Sequence, residues 1–217
     1  MSYKIILKQE HPFFDYVNTD WNWMKSLLTA RGNPYVTMVW LAILGSVLLF
    51  LFLILLFFAR TQSPGWSRLE IPLSFLISTA CIALSSVTLH FSRSSMKNEE
   101  FRNGYYWLSF TLVLAVAFGL LQYGGIKSYF SGGLNLSRTA FAFTCLFSGL
   151  HFLHIILGAG ALLWVWNSFR KNLSYVDAFL LNINPIIITV YRTATIFWHF
   201  LGVLWVLLFL VLLSNQP

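Results

Sequence analysis

Residues 36–58 read VTMVWLAILGSVLLFLFLILLFF, an uninterrupted apolar run without a single charge. A helix that spans a bilayer needs roughly 20 such residues, so this stretch alone points to a membrane-embedded chain. Four further runs follow the same rule: Ile71–Phe91, Tyr105–Ile126, Thr139–Trp166 and Ile186–Leu213. Inside hydrocarbon every backbone N–H and C=O must be paired within the protein, which an apolar run of this length achieves as a helix. The expected fold class is therefore all-α: a polytopic membrane protein, five transmembrane helices in one bundle over residues 36–217. Residues 1–35 form an N-terminal cytoplasmic or interfacial segment. Between the spans lie short polar connections, Ala59–Glu70, Ser92–Gly104, Lys127–Arg138 and Asn167–Pro185, none long enough for a catalytic domain.

Whole-chain composition agrees. Of the 217 residues 58% are hydrophobic and 10% charged, whereas a soluble domain is about 45–50% apolar and about 25% charged. Together with a mean hydropathy of +0.71, this excludes a soluble enzyme, a disordered chain and a disulfide-stapled secreted module. Cys81 and Cys145 both fall within apolar runs and read as small packing residues. The net charge of +7 belongs to membrane topology rather than to nucleic acid. Nine cations, Lys4, Lys8, Lys25, Arg31, Arg93, Lys97, Arg102, Arg170 and Lys171, fall on one side; Arg60, Arg68, Lys127 and Arg138 fall on the other. The positive-inside rule then places the N-terminus in the cytoplasm (or matrix) and the C-terminus outside. The first 35 residues lack the apolar core of a cleaved signal. Their Phe13, Phe14, Tyr16, Trp21, Trp23 and Met24 suit a segment lying along the interface.

Polar groups within spans are costly and so mark the candidate functional positions. In the second span Ser74, Ser78, Cys81, Ser85 and Thr88 recur at intervals of three and four, a helix face of small residues. Such a seam lets another helix approach closely. The fourth span carries Ser148, His151 and His154, with the two histidines on one face. The fifth carries Arg192 near its start, close enough to an end to snorkel, and Trp198-His199 at a depth similar to that of the fourth-span histidines. Three explanations compete for these imidazoles: hydrogen bonding within the bundle, haem ligation, and a proton route. Imidazole is a standard axial ligand of haem, and five-helix anchors that carry haem b and oxidise quinol are the alternative reading, with His90 as a further candidate ligand. Against that reading, His90 has no partner at its own level, and His151 and His154 would crowd one macrocycle. No Asp or Glu lies within a span, which disfavours a proton route. Motifs for phosphate, zinc or nucleophilic catalysis are absent from the sequence.

The two histidine segments resemble subunit III of the haem–copper oxidases, the cytochrome c oxidase type. Ser148-Gly149-Leu150-His151-Phe152-Leu153-His154-Ile155-Ile156-Leu157-Gly158 is similar to the family's Thr-Gly-Phe-His-Gly-x-His-Val-x-x-Gly. Phe197-Trp198-His199-Phe200-Leu201-Gly202-Val203-Leu204-Trp205 is similar to its Tyr-Trp-His-Phe-Val-Asp-x-x-Trp. Weaker echoes are Pro72 leading to Ser85-Ser86-Val87-Thr88, and Phe118 followed by Gln122. Three family acids are missing: Val47 follows Ser46 where the family has Glu, Gly125 stands three after Gln122 where it has Glu, and Gly202 replaces its Asp.

What the resemblance implies is an accessory, cofactor-free subunit in the short five-helix form common in bacteria. The haem a and copper would sit in partner subunits I and II. The same resemblance implies a place in the bacterial inner (plasma) membrane, stabilisation of the catalytic subunit, support of proton uptake, and phospholipid binding near Trp198, His199 and Arg192. His151, His154 and Ser148 would be structural polar residues. The seam on the second span is more small-residue surface than one neighbour needs. A lateral interface with the catalytic subunit is therefore expected, formed by the first spans and the aromatic N-terminal segment, with a larger respiratory supercomplex as a further setting.

Overall fold

The computed structural model describes residues 34–63, 66, 68–133, 138–171 and 175–216. The expected interfacial segment, up to position 33, thus lies outside the described residues. Among the described residues six helices follow one another: α1 (Pro34–Thr61), α2 (Leu73–Lys97), α3 (Phe101–Ser131), α4 (Thr139–Arg170), α5 (Tyr175–Asn182) and α6 (Pro185–Leu213). All but α5 are long and apolar enough to cross a membrane, and the described residues contain no strand. The chain is a multi-pass membrane protein.

The helices run past the apolar stretches that define them. The long ones have 25 to 32 residues, or about 37–48 Å at 1.5 Å per residue, against a hydrocarbon core of about 30 Å. The surplus appears where polar connections were expected. Ser92–Lys97 continues α2, Phe101–Gly104 begins α3, and only Asn98, Glu99 and Glu100 join them, with Glu99 at φ 61°. The connection after α4 likewise contains the short helix α5. Charged side chains do not stop a helix that has left the hydrocarbon; they merely mark where water begins.

Start signals are local. α6 begins at Asn184-Pro185, where the Asn184 side chain accepts a hydrogen bond from the Ile186 N–H at 3.0 Å and proline occupies the first turn. Replacing Asn184 by Ala should cost about 0.5–2 kcal/mol, read as a lower Tm of the detergent-solubilised protein; an unchanged Tm would show that the cap is dispensable.

Packing puts α6 at the centre, against α1, α2 and α4, while α3 joins α2 as a tight hairpin and closes on α4. The ends are tied by polar clips. At one end Trp66 Nε1 donates to Asn215 Oδ1 (2.8 Å), Arg68 reaches the Gln216 carbonyl (3.3 Å), and Tyr129 donates to the Glu70 carbonyl (2.8 Å). At the other, Tyr175 donates to Glu99 (2.8 Å), a bond that raises the Tyr175 phenol pKa above its ordinary value. There Trp166 also stacks on Tyr105 at 5.7 Å and donates to Ser109 at 2.7 Å. The tail is thereby fastened to the α1–α2 connection, and α5 to the α2–α3 turn.

Candidate functional site

The polar interior is built from α2 outward. Serine and threonine on a helix return a hydrogen bond to a carbonyl three or four residues back, and here they do so while accepting from a neighbour. Ser78 donates to the Phe75 carbonyl and accepts from Gln122 Nε2 of α3 at 2.8 Å. Ser85 donates to the Ile82 carbonyl and accepts from Trp198 Nε1 of α6 at 3.1 Å. Thr79 serves Trp205 Nε1 in the same way at 3.0 Å. Thr88 meets Thr111 of α3 at 2.8 Å, and Ser92 meets both the Gly104 carbonyl and the Tyr191 hydroxyl. Partner numbers fall on α2 as they rise on α3 and α6, so both helices run antiparallel to α2.

The small-residue face therefore lies inside the bundle. Ser78, Ser85 and Thr88 are buried, and Ser74 and Cys81 are half-buried. The further expectation, that this seam is left over for a neighbouring subunit, does not hold. α3 takes one edge of the face and the indoles of α6 take the other, because an indole N–H in hydrocarbon needs an acceptor.

The histidines share a depth band but not a cavity. His151 is fully buried between Phe118 of α3 (5.9 Å between ring centroids) and Trp205 of α6 (5.2 Å). His154 turns to α1, 5.7 Å from Phe50, and one ring nitrogen bonds the Leu150 carbonyl at 2.7 Å. His199 is half-buried on α6. The three imidazoles thus occupy separate environments, and the hydrogen bonding expected within the bundle is met at His154 by a backbone carbonyl rather than by another imidazole. His90 is exposed, seven residues from one end of α2, while His151 lies deep in α4. The rings of Phe118 and Trp205 occupy the room a macrocycle on His151 would need. Among the described residues no three His, Cys, Asp or Glu side chains converge as a metal site.

Trp198, expected beside a phospholipid, is fully buried with its N–H engaged by Ser85, so it is not available to lipid. Arg192 and His199 are half-buried on the same helix. Ser148 is buried, and its hydroxyl has no partner among the described residues, as is true of both His151 nitrogens and of Gln122 Oε1.

The missing acids have left no holes. A Cβ on Gly125 would lie 2.3 Å from Phe75 Cε1, and one on Gly202 would lie 3.1 Å from Ser86 Oγ. At both positions side chains of α2 fill the space a side chain would need. Val47, at the third, is 42% exposed on the outer face of α1. Trp205 lies in the Phe197–Trp205 segment that carries the resemblance, but its role and that of Thr79 carry a sequence signal only in combination: two indoles two turns apart on one helix, facing hydroxyls at matching spacing on an antiparallel one.

Comparison with known proteins adds an independent line. The family model described as cytochrome c oxidase subunit III matches residues 29–214. The cytochrome c oxidase subunit 3 of Bacillus subtilis is 28% identical over 192 residues, covering 85% of this chain and 87% of the relative. That of Bacillus sp. (strain PS3) is 27% identical over 84% of this chain and 86% of the relative. The cytochrome bo(3) ubiquinol oxidase subunit 3 of Buchnera aphidicola is 26% identical over 78% and 86% respectively.

Proposed function

The chain belongs to the cytochrome c oxidase subunit III family, and from that premise we propose that it is an accessory, cofactor-free subunit that stabilises the catalytic subunit of a haem–copper oxidase. Membership in the family implies a partner oxidase complex with other subunits. The finer roles assigned to this chain are lateral packing on the catalytic subunit, support of proton uptake, and contact with phospholipid. In this reading it is oriented in a bacterial plasma membrane with its N-terminus in the cytoplasm.

The observation that carries the reading is the use made of the intramembrane polar groups. Hydroxyls, indoles and one amide are bound to one another across α2, α3 and α6, and no acid lies in the spans. That arrangement fixes helices against each other and supplies no nucleophile, base or proton acceptor in sequence. The haem b anchor is disfavoured by the separation of the histidines. The exposed face of α1, with Leu44, Val47, Leu48, Leu51, Phe52 and Leu55 outward, suits lateral contact with a larger membrane subunit. Arg60, Arg68, Lys127 and Arg138, all exposed near helix ends, suit headgroup level. Phospholipid contact then falls to Arg192 and His199, without Trp198.

Two measurements test this. A visible spectrum of the subunit expressed alone should show no stoichiometric Soret band; such a band would return the haem b reading. In the assembled complex, replacing His199 by Leu should loosen retention of the subunit more than it slows oxygen reduction. Loss of turnover with the complex intact would contradict an accessory role for His199.

A further inference from the structure

Where α3 and α4 part, they leave a groove of about 820 Å3, within the ~300–1,000 Å3 range of small-molecule sites. It runs from Leu112 to Ile126 on α3 and from Cys145 to Leu163 on α4, about 21 Å along the first axis and about 27 Å along the second at 1.5 Å per residue. Gly149 and Gly160 form part of its lining, and a Cβ on either would meet nothing within 4 Å. An entire helix, about 10–12 Å across with side chains, is too thick to enter this space; a single flexible chain is not.

Two polar side chains give the groove a chemical preference. Gln122 is 5% exposed and Ser148 is 7% exposed, and both line it. Gln122 has already committed its Nε2 to Ser78, and its Oε1, enclosed just behind the groove wall, lacks a donor among the described residues. The Ser148 hydroxyl, also without a partner among the described residues, can donate or accept. Each residue lies nine positions from its helix end at the α3–α4 connection. That is about 13 Å in, which for helices some 17 Å longer than the ~30 Å core is about 5 Å below the hydrocarbon boundary. A charged phospholipid headgroup does not descend to that depth, and an acyl chain cannot satisfy either atom. The aromatic rings of Tyr123 and Phe152 line the groove.

We propose that the α3–α4 groove binds a membrane hydroquinone: the Gln122 and Ser148 side chains turn outward to it, one phenolic hydroxyl donates to Gln122 Oε1 and accepts from Ser148 Oγ, the ring lies by Tyr123 and Phe152, and the apolar tail follows the glycine-lined floor. A neutral aromatic head with a donor, on a long apolar tail, meets the requirements of depth, hydrogen bonding and shape. The proposal concerns binding and assigns no electron transfer to this chain. It is independent of the accessory role, which could fail while the groove still binds.

The test uses the intact complex and a benzohydroquinone carrying a diazirine on a medium-length alkyl tail, kept reduced with ascorbate. Irradiation should label peptides from α3 and α4 of this subunit. Gln122→Leu should weaken binding about threefold to tenfold, the value of one hydrogen bond. Gly149→Leu and Gly160→Leu, whose new side chains enter open space, should reduce labelling more than tenfold while the subunit stays in the complex. Absence of labelling in the unmodified protein would overturn the proposal. So would displacement of the probe by diolein at equal concentration, or loss of one tightly held phospholipid from the two glycine variants in native mass spectrometry. Crosslinking of a Gly149→Cys variant to a neighbouring subunit would also overturn it, by giving the groove to a protein partner.

Discussion

Replacing Gly125 by glutamate, the residue the family motif places there, is expected to abolish stable assembly of the subunit rather than restore a lost function. The Cβ alone would stand 2.3 Å from Phe75 Cε1 and 2.8 Å from Ser74 Oγ. Phe75 cannot yield easily, since it is fully buried with Tyr129 at 6.3 Å and Trp205 at 6.1 Å, both edge-on. Even Gly125→Ala should cost about 1–3 kcal/mol by overpacking, and a buried carboxylate adds its desolvation. The measurement is the subunit band in the purified complex together with its Tm. Combining Gly125→Ala with Phe75→Ala should cost less than the two changes added separately, because the second removes what the first strikes. A Gly125→Glu variant that assembles with an unchanged Tm would contradict the packing described for α2 and α3.

Replacing Trp205 by Ala should be the most damaging single truncation, at about 3–5 kcal/mol. The indole is fully buried, touches Phe75, Phe118 and His151, and donates to Thr79 at 3.0 Å. It is thus the point where α2, α3, α4 and α6 meet. In a bilayer, contacts between helices gain little from excluding water, so close packing and hydrogen bonds carry the association. Trp205→Phe should recover most of the loss, the remaining deficit being the hydrogen bond to Thr79, about 1 kcal/mol. Thermal unfolding of the solubilised complex, followed by release of this subunit, reads both values. A Trp205→Ala protein released at the unmodified temperature would show that the interior is held together elsewhere.

The five spans were legible because a membrane-crossing helix announces itself by composition over some twenty residues, as Val36–Phe58 does without any pattern analysis. Their ends were not. The apolar signal stops at Phe91, whereas α2 continues to Lys97 on backbone hydrogen bonds that owe nothing to hydropathy. α5 was hidden for the same reason, since only Ala178 of its eight residues is buried. The face Ser74-Ser78-Cys81-Ser85-Thr88 could be read from spacing, but spacing does not say which helix it meets. That answer needed the antiparallel register that sets Trp198 on Ser85 and Trp205 on Thr79. The histidines show the limit most clearly. Positions 151 and 154 share a face to within one turn, yet one ring is enclosed between α3 and α6 and the other turns to α1. Three helix positions, a net rotation of about 60° at 3.6 residues per turn, decide which neighbour an imidazole meets.

Among the glycines, sequence alone marks Gly125 and Gly202 as departures from a motif that carries acids. The structure gives the physical reason they persist here: α2 packs into both places. Loss of the acids and close approach of α2 are one feature, so reintroducing either acid tests packing before it tests proton chemistry.

The central claim is that this chain is an accessory subunit of an oxygen-reducing complex, and affinity capture tests it most directly. The tagged, full-length chain, solubilised in mild detergent, should bring down a large partner containing haem a and copper, in fixed stoichiometry and with oxygen-reducing activity. Recovery of a quinol-linked reductase without any oxygen-reducing subunit would contradict it.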